Sequence, residues 1–445
     1  MPTSCINFFG IKVDVQPDQV YLLIPQSSML GFRAIGISRE FINECWLLLF
    51  LVLGYSSKHE ESAMGQIQRL GILTSGGDCP GLNAVIRAVV HHATLTYGWE
   101  VLGLAYATQG LLERKATPLT LHGMDLRGID PLLSMGGTIL GSINRGKTED
   151  LAEQICAGYR ELGLDALIGV GGDGSLAILD HLAQRGGWQL IGVPKTIDND
   201  VALTERAIGF DTAVNTVVDA INRLTYTAAS HDRVMVVEVM GRTAGHLALH
   251  AGIAGGADVI LIPEIPYSVS DLCRHIEQLR ERWNRRFAIV VVAEGARTQL
   301  GDELYRLESS GQKRLGGIGE YIVESINRCS GDTLEARATV LGHVQRGGIP
   351  SALDRLTATV MGKTAVDLVA QGQSSKMVAW QSGRAVPVPL KQVCEQSPML
   401  VHTNNQLVDT ARGLGIYIGQ PTEVTPLGPA CFRPQAIPQI AANLL

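Results

Sequence analysis

Short aliphatic runs, separated by longer stretches of helical period, organise the chain from Leu70 onward. Leu70–Leu73, Ala166–Val170, Leu190–Val193, Arg233–Val239, Val259–Ile262, Ala288–Ala293 and Arg337–Leu341 predict strands, since near-continuous apolar runs suit strands covered on both faces. Between them, apolar positions recur at helical spacing, as in Val85, Ala88, Val89 and Ala93. They predict helices over Leu82–Thr96, Thr212–Thr227 and Leu356–Val369, one starting within Leu315–Gly319 and running through Asn327, and one starting near Leu176. Such alternation indicates the α/β class: two doubly wound three-layer α/β/α lobes with mostly parallel sheets, facing across a cleft.

Several of these strands end in turns that carry chemistry. Leu70–Leu73 enters Thr74-Ser75-Gly76-Gly77-Asp78, and Ala166–Val170 enters Gly171-Gly172-Asp173-Gly174-Ser175. A strand, a glycine turn and a helix start together form a phosphate cradle, because glycine admits close approach and free N–H groups face the anion. Such turns also occur as plain tight turns. A carboxylate between glycines, as at Asp173, suits a hydrated Mg²⁺. Leu190–Val193 runs into Pro194-Lys195-Thr196-Ile197-Asp198-Asn199-Asp200, which sets two carboxylates one residue apart beside a hydroxyl and an ammonium. Asn-Asp pairs are ordinary in polar turns, but ligands of open α/β sheets sit just beyond such strand ends. Arg233, Arg242, Arg337 and Arg346 all lie at or next to strand ends, where guanidinium forks suit phosphate oxygens.

With 445 residues, 46% of them hydrophobic, the chain has enough apolar material for a large core in two or three structural units. A formal net charge of −6 argues against general nucleic-acid binding, while leaving room for a local anion site. Cys5, Cys45, Cys79, Cys156, Cys273, Cys329, Cys394 and Cys431 show no C-x-x-C spacing, so reduced thiols in a cytoplasm are expected. The apolar block Trp46–Leu53 is too short for a bilayer span, which needs about 20 residues. Residues 1–63 read as an extension, with the natural product expected to start at Met64; intact mass of the native protein tests this. The tail 420–445 is rich in proline and small residues and has no period.

The stretches SGGDCPGLNAVIRAVV, GGTILGS, GGDGS, PKTIDND, GFDTAVNTVVDAI, VVEVMGR, VAEG and RATVLGHVQRGG, in this order, make residues from about Arg69 to Gly419 resemble the 6-phosphofructokinase family. The resemblance implies transfer of the γ-phosphoryl of ATP to the 1-hydroxyl of fructose 6-phosphate, with Mg²⁺. It implies that Asp198 is the base, that Thr196 holds the transferring group, that Asp173 binds the metal, and that Gly77, Gly172, Gly174 and Ser175 line the ATP phosphates. Ile197 lies in the same substrate-facing turn. Met240, Gly241 and Arg242 would face the sugar, with Glu294, His343, Val344, Gln345 and Arg346 holding the fructose end. Arg233 and Arg337 would reach the 6-phosphate of a neighbouring subunit's substrate, which implies a homotetramer. The implied lobes are 64–209 with 346–395 for ATP, and 210–345 with 396–419 for fructose 6-phosphate.

Three departures from the family pattern bear on this reading. Relatives that use pyrophosphate have Asp at the position of Gly174 and Lys at that of Lys195, whereas ATP enzymes have Gly at both. A carboxylate at Gly174 would oppose the α-phosphate that ATP alone carries, so ATP is the expected donor and pyrophosphate the alternative. In Gly141-Ser142-Ile143-Asn144-Arg145 the arginine stands one position late, and Arg145 is expected to reach the donor phosphates from there. Arg87 is retained at the family's effector site, but His91 and Thr225 replace expected basic residues. Rival readings are a kinase for another alcohol, since lipid and NAD kinases share the Gly-Gly-Asp-Gly turn, and a non-catalytic sugar-phosphate-binding subunit.

Overall fold

The computed structural model describes residues 67–121, 130–143, 148–299, 305–307, 313–331 and 333–419, together with four strands before residue 39. Arg145 and the tail 420–445 lie outside the described residues. The chain divides into two compact units, Met1–Gln66 and Ile67–Leu445. In the first, β1 (Ile6–Phe8), β2 (Ile11–Val15), β3 (Gln19–Pro25) and β4 (Phe32–Ser38) form an antiparallel sheet in that order. The sequence reading assigned no elements there. Its register aligns Ile6, Val13, Leu22 and Ile35 across the four strands.

The second unit opens with β5 (Arg69–Thr74), α1 (Leu82–His92), β6 (Glu100–Leu104), α2 (Thr108–Glu113), β7 (Ala116–Leu119) and α3 (Ala152–Glu161). It continues through β8 (Ala166–Gly171), α4 (Asp173–Gly186), β9 (Gln189–Pro194), α5 (Phe210–Ser230), β10 (Arg233–Val239), α6 (His246–Ala254), β11 (Val259–Leu261), α7 (Val269–Trp283) and β12 (Ala288–Ala293). Then follow the hairpin β13 (Tyr305–Leu307) and β14 (Lys313–Leu315), α8 (Ile318–Ser330), β15 (Glu335–Val340), α9 (Ala352–Ala370), β16 (Lys376–Gln381), β17 (Arg384–Pro389), α10 (Leu390–Gln396) and α11 (Gln406–Gly413).

Two sheets carry the site. One has seven strands in the order β17-β16-β9-β8-β5-β6-β7, parallel except for its two edge pairs. The other has four parallel strands, β11-β12-β10-β15. Every residue of β8 and β12 is buried, as their unbroken aliphatic sequence requires. One apolar cluster joins strands of both sheets, including Ile72, Ile168 and Ile191 from the first and Val237, Ile260 and Val291 from the second. Among the described residues no helix is long and apolar enough to cross a membrane.

The thiol expectation needs correcting at one pair. Cys273 on α7 and Cys329 on α8 form a disulfide, with Cα atoms 6.6 Å apart. Both helices pack on one face of the four-stranded sheet, through Leu272, Ile276, Ile322 and Ile326. That packing brings two residues 56 positions apart within disulfide reach. Cys79, Cys156 and Cys394 are free thiols.

Candidate active site

In the seven-stranded sheet β5, β8 and β9 are neighbours, and their register pairs Thr74 with Val170 and Gly171 with Pro194. Their carboxyl ends therefore release Ser75–Asp78, Gly172–Ser175 and Lys195–Asp200 side by side. Backbone bonds lock these turns together: Ser75 N donates to Val170 O at 2.9 Å, Gly76 N to Ile143 O at 3.1 Å, and Lys195 N to Gly171 O at 3.0 Å. Helix α4 begins at Asp173, three residues earlier than its apolar period predicted, so the glycine turn is itself the first turn of the helix. Its N-cap, Gly172, has no side-chain cap bond. First-turn N–H groups have no partner within a helix, which makes this end a natural anion seat.

Gly76 has a left-handed φ of +85°, which favours glycine, and at both Gly76 and Gly77 the end of a flexible cationic side chain comes close. A Cβ on Gly77 would stand 2.8 Å from Arg346 Nη1, and one on Gly76 would stand 3.0 Å from Lys195 Nζ. A Cβ on Gly174 would meet nothing within 4 Å. Lys195 is buried, with 3% of its surface exposed, and its ammonium donates to the Gly77 carbonyl. Burial pushes its pKa down. The cation is thus spent on bracing the glycine turn.

Asp198 is held from behind by its own loop. Its N–H donates to Thr196 Oγ1 at 3.1 Å, and that hydroxyl donates to Asp200 Oδ1 at 3.2 Å. The residue as a whole is half-buried, yet Oδ1 is fully enclosed and accepts no hydrogen bond. Burial, and then the nearby Asp200 carboxylate, raise its pKa to about 7; Glu294 adds to the rise, while Arg346 and Lys195 oppose it. Asp200 is likewise pushed up by burial and by Asp173. These influences place the turns of both sheets around one carboxylate.

The four-stranded sheet supplies the facing side. Neighbouring strands β12, β10 and β15 pair Val239 with Ala293 and Glu238 with Val340, so Glu294, Met240–Arg242 and Gly342–Arg346 emerge at one edge. Gly295 N donates to Gly241 O at 3.1 Å, and a Cβ on Gly295 would fall 2.0 Å from Arg242 O, so only glycine fits. Gln345, fully buried, accepts from Met240 N at 3.2 Å and donates to Gly342 O at 2.9 Å, acting as a brace between turns. Arg346 Nη1 reaches across to Asp78 O at 3.2 Å. His343, Val344 and Arg242 are exposed, and Ile197 is buried.

Arg233 and Arg337 are not brought to this edge. They stand near the amino ends of β10 and β15, where both pair with Glu335. Six residues of strand, roughly 20 Å at 3.3 Å per residue, separate Arg233 from the Met240 turn. Arg87 and His91 face Asp130, at 2.6 and 3.6 Å, beside a separate cleft.

Sequence reading missed Asp354. Only 2% exposed, it accepts from Gly209 N at 3.0 Å, Thr212 N at 2.8 Å and Thr212 Oγ1 at 2.5 Å, tying the start of α5 to that of α9. Ser351 Oγ accepts from Asp354 N at 3.1 Å, and a Ser-x-x-acid pattern was the one signal that could have flagged the pair. The segment 207–209 in turn holds the Asp198 loop, through Thr196 N to Ile208 O at 3.1 Å and Ile208 N to Pro194 O at 3.2 Å.

Comparison with known proteins agrees with this geometry. The family model described as Phosphofructokinase matches residues 69–369. An ATP-dependent 6-phosphofructokinase 2 of Nostoc sp. is 67% identical over 355 residues, covering 80% of this chain and 99% of the relative. An ATP-dependent 6-phosphofructokinase of Thermosynechococcus vestitus is 60% identical, covering 83% of this chain and 98% of the relative. Among solved structures, Pichia pastoris phosphofructokinase in the T-state superposes with a TM-score of 0.64 at 34% identity, covering 78% of this chain and 37% of that one. A pyrophosphate-dependent phosphofructokinase of Nitrosospira multiformis, at 22% identity, TM-score 0.67, and coverage of 79% of this chain and 93% of that one, shares the fold. Two sheets whose strand ends face one enclosed carboxylate, with a family match over residues 69–369 and these relatives, establish that this chain belongs to the phosphofructokinase family.

Proposed function

We propose that this chain transfers the γ-phosphoryl group of ATP to the 1-hydroxyl of fructose 6-phosphate, giving fructose 1,6-bisphosphate and ADP. The observation that carries the reading is Asp198 Oδ1, enclosed and without a hydrogen-bond donor, between the glycine turns and the Glu294 and Arg346 side. A buried carboxylate oxygen to which the protein donates no hydrogen bond is costly, and a substrate hydroxyl would supply the missing donor. There it takes the hydroxyl proton, a role that contributes ~10²- to 10⁴-fold in rate.

The remaining roles follow from position. Gly77, Gly172, Gly174 and Ser175 receive the donor phosphates. Thr196, already oriented by Asp200, stands beside the transferring group. Arg242 and Arg346 offset charge on it, and with Met240, Glu294 and His343 hold the sugar. The sheet carrying β5, β8 and β9 is the donor lobe and the sheet carrying β10, β12 and β15 the acceptor lobe. Mg²⁺ needs only one or two carboxylates besides phosphates and water, and Asp173 with Asp200, which repel each other, fit that donor set. Held by these two carboxylates, Mg²⁺ would supply charge neutralisation to the donor polyphosphate. Open space at Gly174, and a Lys195 turned onto the Gly77 carbonyl, favour ATP over pyrophosphate.

Arg233 and Arg337, remote from their own protomer's site, are assigned to a neighbour's 6-phosphate within a homotetramer, and the enzyme to the cytoplasm. Purified protein with Mg²⁺, fructose 6-phosphate and either ATP or pyrophosphate tests the reading. Fructose 1,6-bisphosphate should form with ATP, and Asp198→Asn should abolish it. Product from pyrophosphate alone would reverse the donor assignment, and no product from either would remove the proposal.

A further inference from the structure

Between α10 and α11 the chain passes through Ser397–Val401 and bonds to both sides of the site. Ser397 Oγ accepts from Ala202 N at 2.9 Å, and Met399 N donates to Asp200 O at 2.7 Å. Both partners lie on the loop that leaves Asp198. His246, the first residue of α6, shares a hydrogen bond with Met399 O at 3.0 Å, and Val401 N donates to Glu264 Oε1 at 2.8 Å. The same oxygen accepts from Gly245 N at 2.9 Å, three residues beyond Arg242. Glu264 stands just past the carboxyl end of β11, and its other oxygen, Oε2, is enclosed with no hydrogen-bond partner. Val401 is 2% exposed and belongs to the apolar cluster shared by the two sheets, whereas Met399 and Leu400 are exposed at 44% and 51%. The strap is thus anchored at Val401 and otherwise held by its polar bonds.

We propose that Glu264 is a positioning residue for phosphoryl transfer, holding the Arg242 turn and, through this strap, the Asp198 loop at a fixed separation. The inference rests on the proposed function. The donor phosphates rest mainly on loops of one sheet and the sugar mainly on loops of the other, so slackening the strap leaves most of each single-ligand site whole. What changes is the distance between the attacking oxygen and the transferring phosphorus, and a shift of about 1 Å costs up to ~10²-fold in rate. One carboxylate oxygen serves both N–H groups, so accepting capacity is the property that counts.

The experiment compares wild type with Glu264→Ala, Glu264→Gln and Ser397→Ala. Binding of fructose 6-phosphate alone, and of a non-transferable β,γ-imido ATP analogue alone, is measured by calorimetry beside kcat. Glu264→Ala should lose about tenfold to a hundredfold in kcat with each single-ligand Kd within about twofold. Glu264→Gln, which keeps a carbonyl acceptor, should stay within about threefold of wild type in kcat. Ser397→Ala loosens the strap from its other end without touching Glu264 and should lower kcat in the same selective way. Unchanged kcat in both alanine variants overturns the inference, as does a kcat loss matched by weakened single-ligand binding or a Glu264→Gln variant as slow as alanine. Wild-type protein that makes no product would instead remove the function and the inference together.

Discussion

In its proposed role, Asp198 would serve rate at the expense of stability. Its carboxyl titrates near 7 because burial and Asp200 disfavour the charged form, so kcat/KM should rise tenfold per pH unit below that value and level off above it. A steady-state pH profile checks this. The stability linkage has the opposite sense: with the folded pKa above the unfolded value of 3.8, the native state binds more protons between about pH 4 and 7, and stability is lost as pH rises through that window. Asp198→Asn, which carries no charge to desolvate, should therefore raise stability above pH 7 by on the order of a few kcal/mol or less, read as a higher urea midpoint, while eliminating turnover. At Gly174 a new side chain meets open space, so Gly174→Asp should fold normally, and assays with both donors should find activity with ATP falling far more than activity with pyrophosphate. An expectation about donor choice was legible at Gly174 from residue chemistry. The attachment of Lys195 to Gly77 was not, because it requires β5 and β9 to share a sheet.

Helices and strands with strong apolar period were readable and their ends were not. Helix α4 began early because Gly172–Ser175 contains no apolar position from which a period could be read, and no side chain marks its cap. The edge strands β7 and β17 contain proline and exposed residues, which weaken a strand pattern read from the chain alone. Asp354 was silent for a different reason: its three donors come from residues 142 to 145 positions away. Replacing it with alanine leaves the Gly209 and Thr212 N–H groups unpaired and takes away the acceptor of the Thr212 hydroxyl, which still accepts from Ser351 N. Asp354→Ala should then lower stability by about 2–4 kcal/mol, read as a shift in the urea midpoint with an unchanged m-value.

At the scale of the whole molecule, Arg233 and Arg337 test whether one protomer is sufficient. Mixing inactive Asp198→Asn protein with Arg337→Ala protein, followed by denaturation and joint refolding, should restore part of the activity, because some sites then draw both intact residues from different chains. Activity no greater than the sum of the separate parents would exclude shared sites. The α/β class and the candidate chemistry of GGDGS, PKTIDND, MGR and GHVQRGG were set by the sequence itself, since apolar period and the needs of phosphate and proton transfer are properties of residue type and local order. Which carboxylate is enclosed and poised near 7, which cysteines are joined, and how Glu264 and Val401 tie one turn to another were decided only in the tertiary structure. Desolvation and hydrogen bonding depend on what lies across space, and the partners here lie tens to hundreds of residues apart.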